Sequence, residues 1–323
     1  MKKHSLMIQI LIWSIVLVVA GGTFVYAVGH ELVRGTFAFG NEQKESNLIA
    51  VSEETVRSEE IKGINIDLVS QALNIYSTED TEIRIEHKAN QSLAKREKLI
   101  ISIDGDRLII KKPRRIGVNL ISREIVDVYI PEQYEDDIYI DMTSGKTQIK
   151  DIKLENLILE KTSGSTDIED IEVKKLSTDI TSGSLEITDS QIENLVSDGT
   201  SGSVKIENIT GQVIELEKTS GSVKIKGTCQ ELDVNSTSGS IDIRLENMPQ
   251  KIKTVQTSGS NKIELPENDG FELEYHKTSG NLTSDFLLNG QNKIRESGTY
   301  LYKDGSNKID IKTTSGSTTL SKR

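Results

Sequence analysis

One tripeptide, Thr-Ser-Gly, constrains this chain more than any other feature. It starts at Thr143, Thr162, Thr181, Thr200, Thr219, Thr237, Thr257, Thr278 and Thr314, with spacings of 19, 19, 19, 19, 18, 20, 21 and 36 residues. The last gap is close to two periods. Within it, KDGSNKIDIK at 303–312 echoes TSGSNKIELP at 257–266, with Asp304 where Ser258 stands, so a degenerate copy is expected there. A fixed period of this length marks a repeat architecture, in which each unit buries its apolar face against its neighbours.

Counted from each Thr, aliphatic residues favour offsets +4, +6, +9, +11, +14 and +16, as Ile149, Ile152, Leu154, Leu157 and Leu159 do after Thr143. A step of two is the period of a strand, and the step of three between pairs adds one residue at a bend. No helical period fits a long window. The expected fold is all-β: a parallel β-solenoid of about nine 19-residue coils. Glycine at the third position suits a corner with positive φ. The corner glycines are Gly145, Gly164, Gly183, Gly202, Gly221, Gly239, Gly259, Gly280 and Gly316. Thr and Ser stacked coil on coil are placed to bond along a ladder. A coil cannot stand alone, because ordering its backbone costs more than its own few aliphatic side chains return.

Open parallel edges template aggregation, so both ends need closure. Residues 62–142 are expected to form a β-rich N-terminal cap, with a hairpin LIISI–DGD–RLIIK and strands VDVYIP and DIYIDM leading into the first coil. The repeat then runs over 143–323, and its weaker units after Gly280 are expected to close the C-terminal end. From Ser5 to Gly29 there is no Asp, Glu, Lys or Arg. That length suffices for a membrane-spanning helix. Lys2 and Lys3 precede it and Glu31 follows, so residues 1–4 are assigned to the cytoplasm and 5–29 to a transmembrane signal anchor. Residues 30–61 then form an acidic linker, and the rest lies outside a single-pass cell membrane. A cleaved signal peptide ending at Val25-Tyr26-Ala27 is the alternative.

The chain has 39 Lys and Arg against 50 Asp and Glu, a net charge of −11. That balance argues against nucleic acid as a partner. Charges on the outward offsets +5 and +7 mostly alternate in sign from coil to coil, as in Lys150 and Glu169 or Glu186 and Lys205, so no single-sign stripe forms. The single cysteine, Cys229, excludes an intramolecular disulfide and a Cys-based metal site, and it is expected to be a buried free thiol. His4, His30, His87 and His276 have no zinc-ligand spacing. The tripeptide serines have no G-x-S-x-G elbow and no base beside them. Carboxylate pairs occur at Glu53-Glu54, Glu59-Glu60 and Asp136-Asp137, and Asp167, Glu169 and Asp170 form a further group near Lys150 and Lys174. A glycosidase needs two carboxylates in distinct environments flanking one bond, and a solvated charged face fits these residues better. The calcium-binding G-G-x-G-x-D repeat is missing. No catalytic, metal or cofactor-binding residue is assigned, and no cofactor is expected.

Over 62–323 the chain resembles the LiaG-like putative-adhesin family of bacterial cell-surface β-strand repeat proteins, a domain of unknown function. The resemblance is carried by IKGINIDLVSQALNIYSTEDTEIRIE, LIISIDGDRLIIKK, VDVYIP, the recurrent TSGS units and the closing KIDIKTTSGSTTL. It implies an anchored extracytoplasmic protein of the cell envelope and carries over no catalytic residue. The expected function is therefore non-enzymatic: an adhesin, or an envelope binding or scaffold protein. Its partner would be a cell-wall polymer, an envelope protein or a second copy of itself. The alternatives are a polysaccharide-acting β-helix enzyme, an ice- or mineral-ordering surface built on the Thr column, and an accessory protein of the envelope stress response.

Overall fold

Why the repeat turns where it does is visible in a computed structural model that describes residues 48–113 and 123–323. The expected cytoplasmic tip, the membrane anchor and most of the linker lie outside the described residues. Among the described residues no helix is long and apolar enough to cross a membrane. Those residues form an all-β fold, with one 3-10 turn among them at Lys95–Glu97.

The strands before the repeat are β1 (Ile49–Arg57), β2 (Gly63–Leu68), β3 (Ala72–Thr78), β4 (Glu82–Ala89), β5 (Ile100–Asp104), β6 (Arg107–Lys111), β7 (Glu124–Pro131), β8 (Asp137–Met142) and β9 (Thr147–Lys150). The repeat itself forms β10 (Lys153–Glu169), β11 (Glu172–Thr188), β12 (Gln191–Thr228), β13 (Glu231–Leu245) and β14 (Lys251–Leu265). The chain closes with β15 (Gly270–Lys277), β16 (Asn281–Leu288), β17 (Gln291–Ile294), β18 (Gly298–Lys303) and β19 (Asn307–Lys322).

Successive repeat strands pair in parallel, one coil out of step. Leu157 lies beside Leu176, Gly164 beside Gly183 and Ile168 beside Ile187. The same register continues from β11 to β12, β12 to β13 and β13 to β14. Offset +6 becomes a buried column: Ile149, Ile168, Ile187, Ile206, Ile225, Ile243 and Ile263 are all at most 1% exposed. Each such side chain contributes about 1.5–3 kcal/mol of burial, and β-branched side chains suit the pleated surface. Each coil bends three times. One bend is the tripeptide. In the four coils that begin at Thr143, Thr162, Thr181 and Thr200 another is an αL residue at offset +8: Asp151, Asp170, Asp189 and Asn208 have φ of 56°, 59°, 52° and 56°. At the third, pairing skips Glu155 and Lys174, and resumes with Asn156 beside Lys175.

The 36-residue gap holds no degenerate coil of the expected kind. Lys308 lies beside Lys251 and Ser315 beside Ser258, so β19 is the coil of Thr314 itself. It is inserted between two coils that precede it in the chain, with β14 on one side and β15 and β16 on the other. Asp304 and Gly305 sit in a reversal after β18, where Gly305 has φ 73° and the Ser306 N–H donates to Asp304 Oδ1 at 3.1 Å. The likeness of DGS to SGS is shared turn chemistry, used here to reverse a strand. Antiparallel β18 and β17 then close this end against β15 and β16.

The other end uses the same device. β2 and β3 stack as a coil against β8 and β9, with Ile66 beside Ile140 and Ile75 beside Ile149. β6 and β7 lie on the far side of that coil, although they follow it in sequence. Its corner, Val69-Ser70-Gln71, has no glycine; the Gln71 amide oxygen instead accepts from the N–H groups of Val69 (3.0 Å) and Ser70 (3.1 Å). Antiparallel β5, β4 and β1 finish this end.

Candidate binding surface

The three residues of the tripeptide divide the work of a corner. Every Thr is exposed. The serine hydroxyl donates to the threonine carbonyl of the adjacent coil, as in Ser163 to Thr143 and Ser220 to Thr200, both 3.3 Å, and Ser279 to Thr314 at 3.2 Å. The glycines form one column, in the spatial order Gly145, Gly164, Gly183, Gly202, Gly221, Gly239, Gly259, Gly316, Gly280, and all have positive φ. At Gly202, with φ 98°, an added Cβ would stand 1.8 Å from the Gly183 carbonyl oxygen. These glycines hold the stack and offer a ligand nothing beyond backbone.

Directly before each corner is an inward position that the apolar pattern misses, because it holds Met142, Lys161, Ile180, Gly199, Lys218, Ser236 and Gln256 in turn. Lys161 is 4% exposed. Its ammonium donates to Thr147 Oγ1 at 3.0 Å, Ser165 O at 2.6 Å and Thr166 Oγ1 at 3.3 Å. Burial pulls its pKa down to about 8. Lys218 donates to Ser201 O at 3.1 Å, and burial lowers its pKa too. Gln256 Nε2 reaches Gly239 O at 3.0 Å. These side chains satisfy corner carbonyls from inside the stack, which is a structural task.

The outward columns are ion-paired. Lys146 meets Asp167 at 3.0 Å and Lys150 meets Glu169. Lys205 bridges Glu186 at 2.7 Å and Glu207 at 3.0 Å, and Lys224 meets Glu207 at 2.6 Å. Hydrogen bonds from Lys224 and Lys205 hold the Glu207 carboxyl down at about 2. Asp167 and Glu169 are thus each tied to a lysine, while Asp170 stands at the αL corner. The structure does not bring the three together as a catalytic pair and its helper.

His87 and His276 have separate partners. His87 is buried, with Nε2 at 2.8 Å from Glu124, which also meets Lys112; His276 lies 2.7 Å from Glu274 near the opposite end of the stack. Burial opposes the charge on Glu124, but His87 and Lys112 outweigh it and leave the carboxyl below its ordinary range. Cys229 is a buried free thiol, pushed up to about 12 by burial. Among the described residues no group of three His, Cys, Asp or Glu is placed to hold a metal ion.

A shallow hollow runs along the third bend. Leu154, Val173, Ile192 and Gly211 line it with apolar surface and backbone, and the charged and polar residues Glu135, Lys153, Glu155, Glu172, Lys174, Gln191, Glu193, Thr210, Gln212 and Gln230 surround them. At one end the rim is ion-paired: Lys153 reaches Glu135 at 3.1 Å and Glu172 at 3.6 Å. Toward the other end it becomes neutral. Gln212, Gln230 and Gln250 are exposed and stack on successive coils, the Gln230 N–H donating to Gln212 O (3.0 Å) and the Gln250 N–H to Gln230 O (2.9 Å). Sequence reasoning passed over these amides. Their unequal spacings of 18 and 20 hide a column that only the tripeptide register exposes.

A family model described as Toastrack DUF4097 matches residues 61–321, and the chain belongs to that family. The resemblance to a putative-adhesin family of β-strand repeats agrees with this match. No curated protein matches the chain. Among solved structures, one described as a putative adhesin from Bacteroides fragilis is 10% identical and covers 88% of this chain and 100% of its own, with a TM-score of 0.45. One described as a putative lipid binding protein from Parabacteroides distasonis is 13% identical, covers 86% and 98%, and has a TM-score of 0.41. A putative cell adhesion protein from Clostridium sporogenes is 13% identical, covers 84% and 99%, and has a TM-score of 0.29.

Proposed function

We propose that this member of the Toastrack family is a non-enzymatic, membrane-anchored extracytoplasmic binding protein. Its parallel β-solenoid presents a repeating surface to a cell-wall polymer or an envelope protein, as an adhesin or scaffold does. One observation carries the reading: a column of exposed amides, Gln212, Gln230 and Gln250, repeats from coil to coil, and the first two line the hollow along the third bend. Strand spacing sets that repeat at roughly 4.8 Å. A hydroxyl-rich polymer lying along the column therefore meets the same amide donors and acceptors at each step, and weak contacts add by multivalency. The charge-free run from Ser5 to Gly29 supports the anchor, with the N-terminus in the cytoplasm.

The test is co-sedimentation of residues 31–323 with isolated cell walls, with and without teichoic-acid-type polymer, over a salt series. Saturable binding that changes little with salt is expected, because the amides are neutral. A steep salt slope would move the site to the ion-paired columns. No binding to any wall preparation would sink the polymer reading.

A further inference from the structure

Among the described residues, four strands have one unpaired edge at the two ends of the stack: β1 and β5 at one, β17 and β18 at the other. Three carry features that block further pairing. On β1, Glu54 lies opposite the buried Ile85, so a charge sits on the core side, and the register is broken between Ala50 and Ser52. β17 is four residues long and carries Lys293. β18 ends at Lys303, which pairs with Glu267 at 2.6 Å. Charges, bulges and short length are the usual devices that stop one edge strand from pairing with another.

β5 is short too, at five residues, and ends on Asp104, but its register against β6 is unbroken and no charge stands on its core side. Its sequence is Ile100-Ile101-Ser102-Ile103-Asp104, and Ile100 and Ile103 are 51% and 57% exposed. Ile101 and Ile103 lie opposite Ile110 and Leu108, which are fully buried, so both stand on the core side of the sheet. The apolar core therefore runs out to an open edge here. We propose that this edge is the interface of a two-fold symmetric dimer, in which β5 pairs antiparallel with β5 of a second copy about Ser102.

Two observations select a second copy as the occupant. In antiparallel register about Ser102, Ile101 of one copy faces Ile103 of the other on the core side, so the strand is its own apolar complement. The flanks are complementary in charge. The segment Lys95-Arg96-Glu97-Lys98 before the strand is net basic, with Lys95 and Arg96 exposed, and the turn Asp104-Gly105-Asp106-Arg107 at its end is net acidic, with Asp104 and Asp106 exposed. Antiparallel pairing carries each acidic turn toward the basic segment of the other copy, twice over. This interface does not depend on the wall-binding reading, and either can fail without the other.

The experiment uses the full chain in mild detergent. Sedimentation equilibrium is expected to give a dimer at micromolar concentration. S102C, oxidised, is expected to form a covalent dimer, whereas T299C on β18 is not; the buried Cys229 leaves both readings clean. I103K, which places a charge on the core side of the edge, is expected to be monomeric with the circular dichroism spectrum of the folded wild type and a melting midpoint that no longer depends on protein concentration. D104K/D106K and K95D/R96D should each weaken the dimer at least tenfold, and their combination should restore it. A monomer at all concentrations, S102C cross-linking no better than T299C, or an I103K dimer as tight as the wild type would each overturn the proposal.

Discussion

Two corners of the same coil turn the backbone through positive φ and use different residues to do it. At the tripeptide corner the neighbouring carbonyl leaves no room: at Gly202 and Gly221 an added Cβ would stand 1.8 Å from the oxygen of the glycine stacked beside it. At the +8 corner the side chains of Asp170, Asp189 and Asn208 are exposed, and Asn208 Nδ2 donates to Asp189 Oδ1 at 2.9 Å. Positive φ alone admits Asp and Asn, whose short polar side chains tolerate αL. Close approach of a second backbone admits only glycine. The tripeptide glycine is invariant along the repeat because two constraints meet there; at +8 Asp and Asn serve where only positive φ applies, and glycine returns at Gly227, where a Cβ would stand 2.2 Å from the Ile209 carbonyl oxygen.

The largest expected effect follows from that difference. G202V should cost about 3 kcal/mol or more in urea denaturation, since it adds both αL strain and a backbone clash. D189V meets the strain without the clash and should cost about 1–2 kcal/mol. Equal losses would erase the distinction between the two corners.

A smaller effect sharpens what lies beneath the tripeptide corner. Lys161, at about 8 in the folded chain, titrates near 10.4 when unfolded. Between these values the unfolded chain binds more protons, so stability should rise with pH across that window. K161M, a residue type the same column already holds at Met142, should flatten the rise, by about 1 kcal/mol. A wild-type profile already flat from pH 8 to 10.5 would contradict the burial of a charged Lys161.

The smallest effect belongs to the exposed columns. Glu207, held at about 2 by Lys224 and Lys205, adds stability that is fully present above its unfolded value near pH 4.3. That stability is lost as pH falls toward 2. E207Q should remove a few tenths of a kcal/mol of acid dependence, because both partners are partly exposed. A loss as large as that of D189V would mean the ion-pair columns hold the coils together as strongly as the corners do.

The buried Ile column at offset +6 and the parallel one-coil register were legible in the sequence, because both repeat with the tripeptide. The second corner was legible in principle: offset +8 reads Asp151, Asp170, Asp189, Asn208, Gly227, all residues that accept positive φ. Mixed identities concealed it. The ends were not legible, because a period does not say in what order coils stack. β19 between β14 and β15, β2 between β8 and β6, and β3 between β9 and β7 are placed by long-range pairing that no local pattern encodes. The amide column was hidden for a related reason, since one coil of 18 and one of 20 residues shift Gln230 and Gln250 relative to their nearest tripeptides.

The most direct test of a binding surface separate from the corners that hold it is wall co-sedimentation of the triple variant Q212A/Q230A/Q250A beside the wild type. The variant should keep the wild-type urea midpoint and lose saturable binding by tenfold or more. Unchanged wall affinity in a normally folded variant would show that the glutamine column is not the site.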